Sequence, residues 1–556
     1  MARRRERRSR AGGGRWRALG ALAALAAAFA LGVVAAEPLA ALVSSLAEDR
    51  REPPPPRRAP RDPEPPPAPG TPVAPPPGVD PEATETRFED FASDPEWEEE
   101  GNRRRPERCP AVRQDFGFRP SARAGGAPGE VGGTVYRTHQ TAYYAKPLDR
   151  PRTLDDRFTV EGRLNVERLS QKGSSGILFG LFNYRTKEWR TSESVVLRVF
   201  DSREDAGQVS IAAEYGTRAY RTDQLAMAAG GGVEDPEASE VTAFDLRESR
   251  RFRLDYDPEG AGGRGRIVLA VEGAPAPVTL DLRPGHRRDG AVLDRFGMLN
   301  QQHEVSGAME AYFGDLRLDG VPVAAESEPA WEGRGSDVSF RDCEVETFHN
   351  FGYGEESEAI GGLVWRTDHE ESDELSAWYG DGDGVSLDLD QEMYASGRVR
   401  LDWANSDSGV YLGWFAEDSE AGERGGSKHV PTDMLAMIVE GPSEVGWYAR
   451  PAYGSDDEDA FGMADDGPST PTIHPSEWRE FTIHYDPEAG PSGEITVRLG
   501  GRESRLRVSR EAREAGASLD HFGIRTVDDD GHAMMPVFDD LTYTSEGGEK
   551  PDEEGE

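Results

Sequence analysis

The chain repeats itself at a long period, and this limits its architecture more than any other feature. Val131-Gly132-Gly133-Thr134-Val135-Tyr136-Arg137-Thr138 returns as Ile360-Gly361-Gly362-Leu363-Val364-Trp365-Arg366-Thr367. Ser175-Gly176-Ile177-Leu178-Phe179-Gly180-Leu181-Phe182 returns as Ser408-Gly409-Val410-Tyr411-Leu412-Gly413-Trp414-Phe415. Phe252 to Glu259 is echoed by Phe481 to Glu488, Leu293 to Gly297 by Leu519 to Gly523, and Phe313 to Leu316 by Phe538 to Leu541. The five blocks keep their order and are offset by 225 to 233 residues. Solenoid repeats run to about 50 residues, so a period this long is a duplicated domain. The blocks place one domain at 87–324 and a second at 336–546, followed by an acidic tail at 547–556.

The repeated blocks carry a period of two. Phe252, Leu254 and Tyr256 alternate with polar residues, as do Phe481, Ile483 and Tyr485, and then Ile495, Val497 and Leu499. One apolar face on an alternating run means a half-buried antiparallel strand. Asp257-Pro258-Glu259 and Asp486-Pro487-Glu488 open turns between pairs of such runs. Ile177 to Phe182 is apolar on both faces and suits a central strand. Neither domain holds a long segment of helical period. The expected class is therefore all-β: two tandem antiparallel sandwiches, each longer than the ~100 residues of an immunoglobulin-type domain and suited to a jelly roll. Trp365, Trp403, Trp414 and Trp478 fall within strand patterns and are expected in the cores.

Ahead of this body lie two segments of another kind. Residues 1–17 hold eight arginines and one glutamate, and Ala18 to Ala36 is apolar throughout. A basic start and an apolar run read as an export signal, either a cleaved peptide ending near Ala36 or an uncleaved anchor of close to the ~20 residues that span a bilayer. Residues 37–86 are rich in proline and read as an extended linker. The rest of the chain is then exported, to the periplasm or cell surface. The net charge of −40 excludes a nucleic-acid partner, because polyphosphates need a basic footprint. With residues 1–17 at +7, the exported remainder carries −47, a surface expected to stay soluble at high ionic strength.

The strand blocks resemble a known family. Trp478-Arg479-Glu480-Phe481-Thr482-Ile483-His484-Tyr485-Asp486, a turn, and Glu494 to Leu499 resemble the hairpin of concanavalin A-like lectin/glucanase domains of the laminin-G-like kind. Val537-Phe538-Asp539-Asp540-Leu541-Thr542-Tyr543 resembles their closing strand. Domain one departs at Ser249 or Arg250, where the hairpin's tryptophan would stand. The resemblance implies a jelly roll and a choice between glycan-binding modules and polysaccharide-cleaving enzymes. The hydrolases of this superfamily carry Glu-x-Asp-x-x-Glu on one strand; Asp388-Leu389-Asp390-Gln391-Glu392 departs from it in its first residue and its spacing, so no catalytic residue is assigned. No Gly-x-Ser-x-Gly, His-Glu-x-x-His or Walker-type loop occurs.

Candidate ligand contacts are the loop aromatics Tyr143, Tyr144, Trp378 and Tyr379, whose rings could stack on sugars or fill a core. Calcium is a possible cofactor, with Asp381 and Asp383 in one acidic turn and Asp528 and Asp530 in another. His303 and His532 fall in matching loops. Cys109 and Cys343 hold matching positions and either pair with each other or stay as thiols, since equivalence alone does not bring two Cα atoms within ~7 Å. The sequence reading is thus an exported, membrane-tethered, non-catalytic binding protein with two lectin-like modules for a glycan or surface polymer. The alternatives are an envelope scaffold with protein partners, or a polysaccharide hydrolase or lyase.

Overall fold

The computed structural model describes residues 85–546 except 105–108, 171–174, 188–190, 202–206, 229–240, 304–306, 325–330, 344–348, 367–375, 406, 420–429, 444, 456–458, 463–469 and 530. The signal segment, nearly all of the Pro-rich linker, the acidic tail and Asp530 lie outside the described residues. Among the described residues no helix is long and apolar enough to cross a membrane. The described helices are short: Gly260–Gly263, His286–Asp289 and Arg510–Ala515.

The described strands form four antiparallel sheets, packed in pairs. In sandwich one, one sheet runs in the order Val278–Asp281, Arg266–Val271, Arg250–Asp257, Phe158–Leu169, Ala308–Leu318, Glu130–Tyr136, Ala111–Arg119 and Asp337–Arg341. The facing sheet runs Thr222–Ala226, Gln208–Gly216, Ser194–Asp201, Gly176–Phe182, Val292–Asn300, Tyr143–Thr153 and Glu332–Arg334. One apolar cluster, including Phe179, Leu197, Phe252, Leu254, Phe296 and Phe313, fills the space between them. Sandwich two repeats the plan. Its central pairings set Ala533–Glu546 beside Met393–Ala404 in one sheet and His521–Thr526 beside Ser408–Phe415 in the other. Leu412, Trp414, Phe481, Ile483, Phe522 and Phe538 lie in its core. The period-two runs behave as their patterns require: Phe252, Leu254 and Tyr256 are buried while Arg251 and Arg253 are exposed.

The repeated sequence blocks correspond to repeated constraints. Tyr256 Oη donates to Leu154 O at 2.8 Å, and Tyr485 Oη donates to Leu389 O at the same distance. Asp315 and Asp540 both stand at φ +51° in a strand bulge, beside Arg163 and Arg398 respectively. Such a backbone costs an aspartate about 1–3 kcal/mol, which the adjacent guanidinium helps to offset. Trp365 and Trp414 are buried as expected. Trp403 and Trp478 are not core residues: Trp403 packs on His139 with ring centroids 4.2 Å apart, and Trp478 lies half-exposed beneath Arg398 and Arg400.

The path of the chain between the sandwiches differs from a simple tandem. Residues 85–103 precede sandwich one in sequence but belong to sandwich two. Glu85–Glu89 pairs with Ala533–Glu546, and Glu98–Glu100 pairs with Trp378–Asp381. Residues 321–324 and 331–341 precede sandwich two but belong to sandwich one: Val321–Pro322 pairs with Ala308–Leu318, Glu332–Arg334 with Tyr143–Thr153, and Asp337–Arg341 with Ala111–Arg119. We call these segments strap one and strap two. Each strap closes a sandwich by adding a strand to both of its sheets. The boundary expected at 336 falls inside strap two, and the start expected at 87 falls inside strap one. Strap two follows its sandwich through a two-residue turn, Asp319-Gly320, with φ of +53° and +75°. That is the left-handed geometry of a tight hairpin, and Asp-Gly is well suited to it. Strap one reaches its sandwich from the far end of the sequence. Cys109 and Cys343, just behind the two straps, form a disulfide.

Candidate functional site

A cleft of about 1310 Å³ opens on the Arg250–Asp257 sheet of sandwich one. Its walls carry Arg163, Arg251, Arg253 and Arg317 with Glu161, Glu272 and Asp315; Phe118, Phe252, Leu316 and Val323 supply apolar surface. The alternation that sends Phe252 and Leu254 inward sends Arg251 and Arg253 outward, and the Asp315 bulge turns Arg317 toward solvent. The acids in the cleft are already engaged. Glu161 accepts from Arg253 at 2.7 Å, Asp315 accepts from the Ala127 amide at 3.1 Å, and Glu272 accepts from the Arg251 amide at 3.1 Å. The Arg253 guanidinium is held above its usual range by its hydrogen bonds to Asp255 and Glu161. Among the described residues, the Arg251 side chain makes no ion pair, and that of Arg317 donates only to Gly320 O at 3.0 Å. Exposed guanidinium forks beside apolar surface can grip hydroxyl, carboxylate or sulfate groups in two-pronged fashion.

The matching face of sandwich two is built differently. Trp478 covers it, with its ring 5.1 Å from the Arg398 guanidinium and 4.7 Å from that of Arg400. Sandwich one has Ser249 at that place, which accepts from Arg163 at 3.3 Å and donates to Ala124 O, so that the Ala124-Gly125 segment lies where the indole lies in sandwich two. Ser249 itself does not line the cleft; its partner Arg163 does.

The four aromatics expected in loops lie instead in the strands Tyr143–Thr153 and Trp378–Asp381, and in each pair one ring, Tyr144 or Tyr379, packs on a strap. Trp331 of strap two stacks on Tyr144 at 5.5 Å and 12°. Trp97 of strap one lies 5.6 Å from Tyr379. Tyr143 and Trp378 alternate to the opposite faces of their strands, where Tyr143 is buried against Phe182 and Trp378 against Phe415 and His521, so these four rings do not form an open sugar platform.

The acidic turns do not converge. Asp381 and Asp528 stand toward opposite ends of the paired strands Trp378–Asp381 and His521–Thr526. Asp381 is buried and accepts from Arg87 at 2.7 Å, from Tyr543 Oη and from the Asp383 amide. Asp383 is exposed, Asp528 is fully buried, and Asp530 is outside the described residues. Among the described residues, no three His, Cys, Asp or Glu side chains stand together as metal ligands. In the Asp388 to Glu392 turn, Asp390 is paired with Arg513 and Glu392 with His484, each at 2.7 Å.

Sequence reasoning missed a buried charged seam where the sandwiches meet. His303 and His532 touch at 4.1 Å between ring centroids, beside Arg137. Burial, and then the charges of Arg137, His532, His139 and Arg198, push the His303 imidazole well below the usual histidine range. Deeper in sandwich two, Glu440 accepts from Arg366 and from Arg450, each at 2.7 Å. The signal was present in the matching His loops and in the repeated Arg-Thr pair, but nothing local marks these residues as buried.

No family profile matches the chain, and no curated protein matches it. Solved structures do. The chain is similar in fold to laminin G and lectin domains. Domains LG4-5 of the mouse laminin alpha1 chain align at 10% identity, covering 76% of this chain and 92% of that one, with a TM-score of 0.21. The carbohydrate recognition domain of Emp47p aligns at 14% identity over 31% of this chain and 78% of that one, TM-score 0.21. The alginate lyase Aly36B aligns at 12% identity over 36% and 88%, TM-score 0.24. Values this low carry no weight for ligand or activity; strand order and register define the fold.

Proposed function

We propose that this chain is an exported binding protein that holds a glycan or another polymer in the sandwich-one cleft, tethered by its N-terminal segment. The observation that carries this reading is the pair of exposed guanidinium groups, Arg251 and Arg317, on the walls of an open, partly apolar cleft. The engaged state of Glu161, Glu272 and Asp315 favours binding over acid–base cleavage, which needs a carboxyl group poised to move a proton. Binding of neutral and acidic polysaccharides to the full-length chain, measured by calorimetry, tests the reading. Arg251→Ala with Arg317→Ala is expected to weaken binding at least about tenfold, since charge-assisted hydrogen bonds contribute roughly 1.5–3 kcal/mol each. Binding that the double substitution leaves unchanged, or no binding by any polysaccharide, overturns it. Release of shortened or unsaturated products would instead favour the lyase or hydrolase alternative.

A further inference from the structure

The order of straps and sandwiches forms a closed ring. Strap two closes the sandwich just before it, and strap one closes the last sandwich in the chain. The two are built alike. Trp97 and Trp331 are separated by the same 234 residues as Cys109 and Cys343. Both tryptophans are buried, and each is followed by a strand on the same edge of its sandwich. Strap two is fastened to its sandwich by the Asp319-Gly320 hairpin. Strap one has no such fastening: its contacts with sandwich two reach across 460 residues, as in the Ser545 hydroxyl donating to Glu85 O.

The seat of strap one is specific. It accepts main-chain pairing on both sheets, the Phe91 and Trp97 rings in the core, and Arg87 on Asp381. A seat that recognises a segment distant in sequence recognises the same segment from a second molecule equally well, because the contacts are identical. What differs is local concentration. The Cys109–Cys343 bridge sets that concentration. It ties the residue six places after Arg103 of strap one to the chain entering sandwich two.

We propose that strap one is an exchangeable element: the strap of a second copy of this chain can close sandwich two, and the Cys109–Cys343 bridge confines it to its own chain. Removal of the bridge then yields strap-exchanged dimers, or open chains of copies.

The test uses two full-length chains, both carrying Cys109→Ser and Cys343→Ser. One also carries Phe88→Cys and the other Thr542→Cys, residues directly opposite each other across strap and sandwich. Opposed residues of an antiparallel pair have Cα atoms about 4.5–5.5 Å apart, within disulfide reach. The chains are unfolded together, refolded and oxidised. A disulfide-linked heterodimer, identified by mass, is the expected product. Phe91→Asp with Trp97→Ala in the first chain should reduce it to background. Because that variant can also unfold sandwich two, an excess of a synthetic 85–104 peptide is added to the original pair in a parallel refolding; it should suppress the heterodimer without any change to the chains. Absence of a heterodimer, or a heterodimer that the peptide does not diminish, overturns the proposal.

Discussion

Gly133 and Gly362 hold the same position in the two repeats, and both face main chain where a side chain would begin. A Cβ at Gly133 would stand 2.1 Å from Asp115 O, and one at Gly362 would stand 2.3 Å from Asn350 O. Both also have φ well inside the positive range. Gly362→Ala should therefore destabilise sandwich two by about 2 kcal/mol or more, read as a lower denaturation midpoint at unchanged slope. Glu440 makes a second prediction at this scale. Its carboxylate stands between two buried or nearly buried arginines. Glu440→Gln removes the shared charge, leaving Arg366 to the more distant Asp529 at 3.6 Å, and should cost about 3 kcal/mol. The His303 imidazole gives a third. It is held neutral when folded and titrates near pH 6.5 when unfolded. The unfolded state thus binds more protons below that pH. Its contribution is complete above about pH 6.5 and falls by up to about 1.4 kcal/mol per pH unit as the pH drops toward the folded value. His303→Gln should flatten that part of the stability profile in urea titrations between pH 7 and 5; an unchanged slope would refute the assignment. These residues were legible in the sequence to different degrees. The paired glycines announced a repeated constraint through their identity. Nothing in the residues around Glu440 or His303 reveals that Arg366 reaches the one and that Arg137 and His532 close over the other.

Among the elements, the hairpins were the most legible. Phe252 to Tyr256 and Phe481 to Tyr485 each declare their buried face by alternation, and their turns by Asp-Pro. The straps were hidden for a physical reason. Their strands are short and polar, Glu98–Glu100 being all glutamate, so no period of two can be read from them. Their anchoring lies in single aromatics, Trp97 and Trp331. The repeat does extend through them, and the equal spacing of the tryptophans and cysteines is the signal that finds it. Tyr143, Tyr144, Trp378 and Tyr379 were singled out as ligand contacts; in the fold Tyr144 and Tyr379 pack on the strap tryptophans. Truncation of the buried Trp97 to alanine is expected to cost about 3–5 kcal/mol, with sandwich two the first part to melt in calorimetry. The disulfide closes a loop of more than 200 residues, so its loss should lower stability by roughly 5 kcal/mol on a chain-entropy account.

For the whole molecule, the duplicated blocks predicted two sandwiches, and the cores show why a long period has this outcome: each repeat carries enough alternating strands to build two facing sheets of its own. Composition could not show that the repeats are closed by exchange of straps, because the choice depends on which sheet edge each strap meets. Closure ties the two sandwiches into one body through the straps, the disulfide and the seam at His303 and His532. It also predicts the behaviour of fragments: residues 336–546 alone lack a strand on each sheet of sandwich two and should remain soluble only with strap one supplied. Hydrogen–deuterium exchange on the intact, oxidised chain tests this closure most directly. Amides of residues 86–89 and 98–100 should be protected together with those of 541–544 and 378–380, over hours. Exchange of residues 86–100 within seconds, while 541–544 stay protected, would contradict it.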